Sequence, residues 1–291
     1  MLNGIDVSNA NGCVDWDKLK GNIDFAILRC GYGSDMVSQD DEQWARNVAE
    51  CNRLGIPWGA YLYSYAMSTA EAESEAAHAM RLMKGLNPTY PVYIDMEDAD
   101  GYKAKRGGIS KQMATAICLL FCERFSAAGY VAGVYANKDW VVNRLDMAQL
   151  SKYTFWLAQY NDKVTYPGKY DIWQYTSDGS MPGIGGRVDL NYCYRNFSAN
   201  AVPSSSGLSL DTSSKNLASG AKYTVLARCR EKPTVTTVGR DVIAVSEPRS
   251  DPKGRGWLID VQGLPPEPVV RHGHIMVTSG GQTVQCNFNV G

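Results

Sequence analysis

The chain has 291 residues, 44% of them hydrophobic and 20% charged, with 29 basic side chains against 30 acidic ones. A chain of this size buries about 75% of its extended surface and folds without disulfide or metal staples, which excludes disordered, collagen-like and minimal-scaffold readings. The net charge of -1 gives no global attraction to nucleic acid or an anionic membrane, and no run approaches the roughly 20 apolar residues of a membrane helix.

From the N-terminus, short apolar runs alternate with longer helix-patterned ones, the signature of βα units around a parallel sheet. Strands are predicted over Gly4–Val7, Phe25–Gly31, Trp58–Tyr65, Pro91–Met96, Tyr130–Ala136, Thr154–Tyr160, Tyr170–Tyr175 and Val188–Tyr192. Eight strands point to a closed barrel. Helices are predicted over Asp41–Leu54, over Ser68–Leu86 with the capping box Ser68-x-x-Glu71, and over Ser110–Ala128, where Met113, Ile117, Leu120, Phe121 and Phe125 precede Gly129. After about residue 150 the strands follow too closely for full helices, so the last three crossovers are expected to be loops or short turns and the barrel irregular.

The stretch SANAVPSSSG, Ser198–Gly207, has linker composition. Only Tyr223, Trp257 and Phe288 of the 30 aromatic residues follow it, and the charge turns from 19 basic against 23 acidic residues to 10 against 7. The chain is therefore expected to divide into a first domain at 1–198, a linker at 199–207 and a second domain at 208–291. In the second, runs at Lys222–Cys229, Thr234–Val238, Asp241–Val245, Gly256–Val261, Gly273–Thr278 and Thr283–Val290 suggest a small all-β sandwich. His272 and His274 alternate there but make an incomplete metal site, and no role is assigned to them. The eight cysteines include no C-x-x-C pair and are expected to be mostly reduced and buried.

The peptide Pro91-Val-Tyr-Ile-Asp-Met-Glu-Asp98 is an apolar strand ending in acids. Alternation places Asp95 and Glu97 on one face, at the strand end where barrels of this kind carry active sites. Two neighbouring acids repel, so at least one is expected to hold its proton, and a protonated Glu beside an ionised Asp suits a glycosidase. The bland alternative is helix capping or solvation. Asp6 and Asp189 tip the balance, because the first and last strands of a closed barrel are neighbours and both acids then reach the same mouth. A calcium loop is disfavoured, since its fifth and twelfth positions would be Ala99 and Arg106. Tyr32, Tyr61, Tyr63, Tyr135, Trp140, Trp156, Trp173 and Tyr175 are placed around the same strand ends, where rings stack on sugar faces. His78, in an Ala- and Glu-rich helix, is expected on the surface, which leaves little basis for Ser/His/Asp chemistry.

Taken together, Gly4-Ile-Asp-Val-Ser8, Asp24-Phe-Ala-Ile-Leu-Arg-Cys-Gly-Tyr-Gly33, Gly59-Ala-Tyr-Leu-Tyr63, Pro91-Val-Tyr-Ile-Asp-Met-Glu97, Trp173-Gln-Tyr-Thr176 and Val188-Asp-Leu-Asn191 resemble the lysozymes of glycoside hydrolase family 25. The resemblance covers residues 2–197, in the family's order. It implies an irregular (β/α) barrel that hydrolyses, without cofactor or metal, the β-1,4 bond between N-acetylmuramic acid and N-acetylglucosamine in peptidoglycan. By matching position, Glu97 would be the general acid and then the base, Asp95 would stabilise positive charge, and Asp6 and Asp189 would hold the geometry and electrostatics of the site. Tyr32, Tyr63, Tyr135 and Trp156 resemble substrate-contacting positions, with Tyr61 and Gln174 as further substrate-binding candidates. Retention is expected, with either Asp95 or the substrate's acetamido group as nucleophile. A chitinase-like D-x-x-D-x-D-x-E pattern would place its two earlier acids at Tyr90 and Tyr93, which argues against that relative.

Two other functions stay open at this point: a peptidoglycan-binding protein without turnover, and a glycosidase acting on another N-acetylated glycan. The expected partners are peptidoglycan glycan strands and, by architecture alone, a cell-wall ligand for the second domain. Neither nucleic acid nor membrane insertion is expected. The start MLNGIDVSNA has no basic-then-apolar leader, so the protein is expected to be made in a bacterial cytoplasm and to act on the wall after release, as an endolysin or autolysin.

Overall fold

A computed structural model of the chain describes residues 1–197, 208–229, 231–252, 256–265, 270–279 and 282–291. The chain separates into two compact units, Met1–Ala199 and Asn200–Gly291. The expected linker lies outside the described residues.

Eight strands close the first unit in sequence order: β1 Leu2–Val7, β2 Phe25–Tyr32, β3 Trp58–Tyr63, β4 Val92–Asp95, β5 Ala132–Asn137, β6 Thr154–Ala158, β7 Ile172–Gly179 and β8 Val188–Cys193. The strands β1 to β7 run parallel to their neighbours, but β8 is antiparallel to both β7 and β1. This corrects the all-parallel expectation. The segment between Gly179 and Val188 is shorter than the dozen or so residues of a parallel crossover, so the chain turns straight back as a hairpin.

Around the barrel lie α1 Trp16–Leu19, α2 Trp44–Leu54, α3 Thr69–Met83, α4 Tyr102–Lys105, α5 Lys111–Ala127 and α6 Met147–Leu150. The Ser68 and Ser110 hydroxyls cap α3 and α5 by accepting from the Glu71 and Met113 amides, at 3.3 and 3.1 Å. After β5 the connections shrink to a π turn at Trp140–Arg144, the single turn α6, a loop and the final hairpin. Two packed layers result. Ile5, Val7, Leu28, Leu62, Ile94, Val134 and Leu157 face the helices, whereas Phe25, Ile27, Tyr90, Tyr93, Tyr135, Trp156 and Ile172 fill the barrel. Gly133 makes room for that aromatic filling, since a Cβ there would overlap the Thr154 hydroxyl and the Tyr93 ring.

His78 is not on the surface. The small side chains of Ala72, Ala76 and Ala79 bury one face of α3 against the sheet, and His78 is enclosed with them, its Nδ1 3.0 Å from the Gly33 carbonyl and its Nε2 2.8 Å from Asp40. All eight cysteines are unpaired, and all but Cys13 are buried.

The second unit is all β: β9 Ser209–Leu210, β10 Ser214–Leu217, β11 Lys222–Arg228, β12 Thr234–Val238, β13 Ile243–Val245, β14 Arg249–Ser250, β15 Trp257–Gly263, β16 Arg271–Ser279 and β17 Gln282–Val290. One sheet is ordered β10-β17-β16-β12 and the other β13-β15-β11-β9, with β14 paired to β15. Their inward residues, among them Val225, Ile259, Val261, Ile275, Val277 and Phe288, form one core.

Candidate active site

Strand alternation builds the site. In β4, Val92 and Ile94 face the helices while Tyr93 turns into the barrel, so Asp95 closes the inward row and Glu97 follows two residues on. In β1, Ile5 and Val7 face outward, which turns Asp6 inward. Asp6 is the cross-strand partner of Asp189. The reversed direction of β8 matters here, because it brings the start of that strand, and Asp189 with it, to the mouth. A parallel β8 would have carried Asp189 to the opposite end.

Asp6 is 4% exposed, and one of its oxygens, Oδ1, accepts from Gln174 Nε2 at 2.9 Å and Asn191 Nδ2 at 2.7 Å. Burial, followed by the charge of Asp189, pushes its carboxyl well above the ordinary range. Burial also raises Asp189, opposed by its hydrogen bond with Asp6. Asp95, also 4% exposed, is raised well above the usual range by burial and then by Glu97, and its Oδ1 is enclosed without a hydrogen-bond partner. Glu97 is pushed up to about 7, first by burial, with Lys103 opposing, Asp189 adding and its hydrogen bond to Asp95 opposing. Both members of this second pair are raised.

The aromatic candidates divide by depth. Tyr32 and Tyr63, with Tyr65, Arg29, Ala99 and Asp100, line a hollow of about 380 Å³, and the Tyr63 hydroxyl accepts from the Ala99 amide at 3.1 Å. Tyr61 stands edge-on to Trp156 at 5.9 Å. Tyr135 donates to Gln174 Oε1 at 2.8 Å, as does Tyr160 at 2.9 Å. Trp156 is 1% exposed, lies 4.5 Å from the Tyr135 ring and donates to Asn191 Oδ1 at 2.8 Å. Trp156 and Gln174 are therefore placed beneath the floor, where they tie Tyr135, Tyr160, Asn191 and Asp6 into one network. Trp173 and Tyr175 do not belong to the cleft. Gln174 between them points inward, so they pack on the outer side with Tyr192. Trp140 lies in the helix-facing core.

Sequence reasoning missed Arg29, Tyr65, Tyr160, Asn191, Glu75 and Lys103. Arg29 projects from β2 and is fixed by Asp41 at 2.8 Å and by the Asn9 side chain, with its guanidinium 5.9 Å from the Tyr32 ring. The signal for Asn191 was present, two residues beyond Asp189 and hence on the same face. Among the described residues, no three His, Cys, Asp or Glu side chains converge in a way that would hold a metal ion. With acids that keep a proton beside an aromatic hollow, the arrangement supports general acid–base chemistry on a neutral, ring-shaped ligand.

Residues 5–184 match the sequence profile of Glycosyl hydrolases family 25. The chain belongs to this family. The family match ends before Asp189, whose place is defined by the β1–β8 seam. Lysozyme M1 of Streptomyces globisporus is 24% identical over 200 residues, which cover 65% of this chain and 67% of that protein. The modular autolysin LytC of Streptococcus pneumoniae, solved in complex with a synthetic peptidoglycan ligand, is 33% identical with a TM-score of 0.59. That match covers 65% of this chain and 46% of LytC, so this family 25 member corresponds to less than half of that autolysin's length. The spore cortex lytic enzyme SleM of Clostridium perfringens is 15% identical and shares the fold across both units, with a TM-score of 0.59 over 99% of this chain and 97% of its own.

Proposed function

We propose that the cleft hydrolyses the β-1,4 bond between N-acetylmuramic acid and N-acetylglucosamine in peptidoglycan glycan strands, with Glu97 as the general acid. The observation that carries this is the placement of Glu97. Its carboxyl, raised to about 7, sits at the mouth beside Asp95 and within reach of the charge of Asp189, the cross-strand partner of Asp6. Family membership and the peptidoglycan ligand of the related LytC support the same reading.

An acid whose pKa lies near the working pH is both protonated often enough and acidic enough to transfer its proton. Glu97 gives its proton to the glycosidic oxygen as the bond to the departing sugar breaks. Positive charge then grows on the remaining ring, in a cleft whose other carboxyls, Asp95, Asp6 and Asp189, supply negative potential in a low-dielectric setting. Asp95, hydrogen-bonded to Glu97, is the carboxyl that adjoins the acid. The oxygen of a water then bonds to the carbon that the departing sugar left, and its proton passes to the ionised Glu97, which restores the acid. Tyr32, Tyr61 and Tyr63 present ring faces to the sugars, while Gln174, Asn191 and Trp156 keep Tyr135 and Asp6 in place from below.

The second unit is read as a wall anchor that raises the local concentration of substrate, in a protein that acts on the wall after release as an autolysin or endolysin. Mass spectrometry of products released from purified peptidoglycan, with borohydride reduction of the new sugar ends, tests the bond assignment. Reducible N-acetylmuramic acid ends are expected with the wild type and not with Glu97→Gln. Reducible N-acetylglucosamine ends would overturn it.

A further inference from the structure

We propose that Lys103, clamped between Glu75 and Glu97, is a positioning residue that fixes both the place and the charge state of the acid. The inference rests on the reading of Glu97 as that acid. Lys103 is a lysine only 2% exposed, and its ammonium donates to the backbone carbonyl of Glu97 at 2.8 Å and to that of Ser64. The turn that brings it there is organised by Asp98, the residue next to Glu97, whose carboxylate accepts from the Lys103 amide at 2.7 Å and the Ala104 amide at 2.8 Å. The chain leaves Glu97, folds over Asp98 into α4, and returns an ammonium to the carbonyl of Glu97 itself. A peptide plane held at its own oxygen cannot rotate freely, so the direction of the Glu97 side chain is fixed from behind.

The clamp has a second carboxyl on its far side, Glu75, which burial pushes up to about 7 against the opposing effects of Ser64, Tyr65 and Lys103. Ser64 stands between: its carbonyl accepts from Lys103, and its hydroxyl donates to Glu75 Oε2 at 2.7 Å. The Tyr65 amide donates to the other oxygen of Glu75 at 2.6 Å. Glu75 is 1% exposed on α3. Packing alone needs neither charge, and burying each one costs free energy unless the other compensates it.

The groups facing the clamp are few. The ammonium faces Glu75 from α3, Asp95 and Glu97 from the end of β4, and Asp98 and Asp100 from the turn. The rings of Tyr63, Tyr65 and Trp140 lie 5.9, 6.0 and 5.9 Å away, with Cys118 of α5 behind. Glu97 faces Lys103, Asp95, Asp100 and Asp189, together with the hydroxyls of Tyr63, Tyr135 and Tyr160. Against burial, Lys103 is the foremost influence holding Glu97 down, and Glu75 offsets part of its charge. Glu75 thus acts on the acid only through Lys103, the cation that it faces.

The test is the pH dependence of kcat/KM on soluble glycan fragments for Lys103→Met, Lys103→Arg and Glu75→Gln, with Glu97→Gln as control. Loss of the cation in Lys103→Met should move the alkaline limb up by about one pH unit, the low end of what a close opposite charge does. Glu75→Gln removes one of the carboxyls that face the cation and should move the limb down. Lys103→Arg keeps the charge and should hold the limb near its wild-type position while kcat falls. A limb that stays in place in Glu75→Gln, with only thermal stability reduced, overturns the proposal, and this holds even if Lys103→Met does not fold. If Glu97→Gln keeps full activity, the reading of the acid falls and this inference with it. If Glu97→Gln is inactive and no limb moves, only the clamp is wrong.

Discussion

Asp6 and Asp189 are direct cross-strand partners on the antiparallel seam that closes the barrel, two acids facing each other across one edge of β8, the strand that runs against both of its neighbours. Their proximity is set by the direction of β8, so the last hairpin places the two acids together as well as closing the barrel. Burial and the neighbouring charge raise Asp6 well above the ordinary carboxylate range. The folded protein thus holds a proton that the unfolded chain gives up. By linkage, this contribution to stability is fully present below the ordinary carboxylate pKa of about 4 and is lost as pH rises toward the folded value.

Replacing Asp189 with Asn removes the like charge and leaves Asp6 facing amide donors. We expect Asp189→Asn to be more stable than the wild type at neutral pH, by about 1 kcal/mol, with a flatter decline of Tm between pH 5 and 8, and to lose most of its activity. Thermal denaturation across that range is the measurement. A lower Tm in the variant at every pH would show that the pair is not repulsive.

The raised Glu97 makes a separate prediction. Its protonated form does the work, so kcat/KM on soluble fragments should fall as pH climbs through about 7, the folded value, and should be highest below it. Glu97→Gln cannot donate a proton and should lose about 10²- to 10⁴-fold in rate with KM little changed. A variant that lost affinity instead of rate would place Glu97 in binding.

Much of this was legible in the residues. Apolar runs between Gly and Pro breaks marked the eight strands, and a period of two placed Asp95 and Glu97 together. What the residues left undetermined was direction and depth. Nothing local in Val188-Asp-Leu-Asn191 says which way that strand runs, and only the shortness of the connection before it carried the information. His78 reads as a surface residue because its neighbours in sequence are Ala and Glu, yet a helix that presents alanines to a sheet comes close enough to enclose its polar residues as well. Lys103 follows the same logic. A lysine in Tyr102–Lys105 looks solvated, and it becomes part of the site only because Asp98 turns the chain back on itself.

Asn191 joins two layers of the site, donating to Asp6 Oδ1 at 2.7 Å and accepting from the Trp156 indole at 2.8 Å. Truncation in Asn191→Ala leaves a buried indole N–H without its acceptor and a buried acid without one of its donors. Each such loss costs about 1–3 kcal/mol. Urea unfolding should show a drop of about 2–4 kcal/mol, with activity reduced beyond what the fraction unfolded explains. Gln174→Ala leaves the Trp156 indole bonded to Asn191 but removes a donor from Asp6 and releases Tyr135 and Tyr160 together, so KM should rise as well as kcat fall.

The wall-anchor reading of the second unit is tested by removing it. The clusters that pack the barrel and its helices are drawn from residues up to Phe197, and the core of the second unit is drawn from Leu208 onward. Because, among the described residues, each core is drawn from its own unit, a chain ending at residue 207 should keep the barrel folded and should cleave soluble glycan fragments at the full-length rate. On insoluble walls the two proteins should part company. A tethered second contact turns rebinding into an intramolecular event, and its loss lowers avidity by about 10²-fold or more without touching the cleft. Sedimentation of Glu97→Gln protein with intact walls, full-length against truncated, reads this directly because the substrate is not consumed. Equal sedimentation of the two would remove the anchor from the account and leave the second unit a spacer.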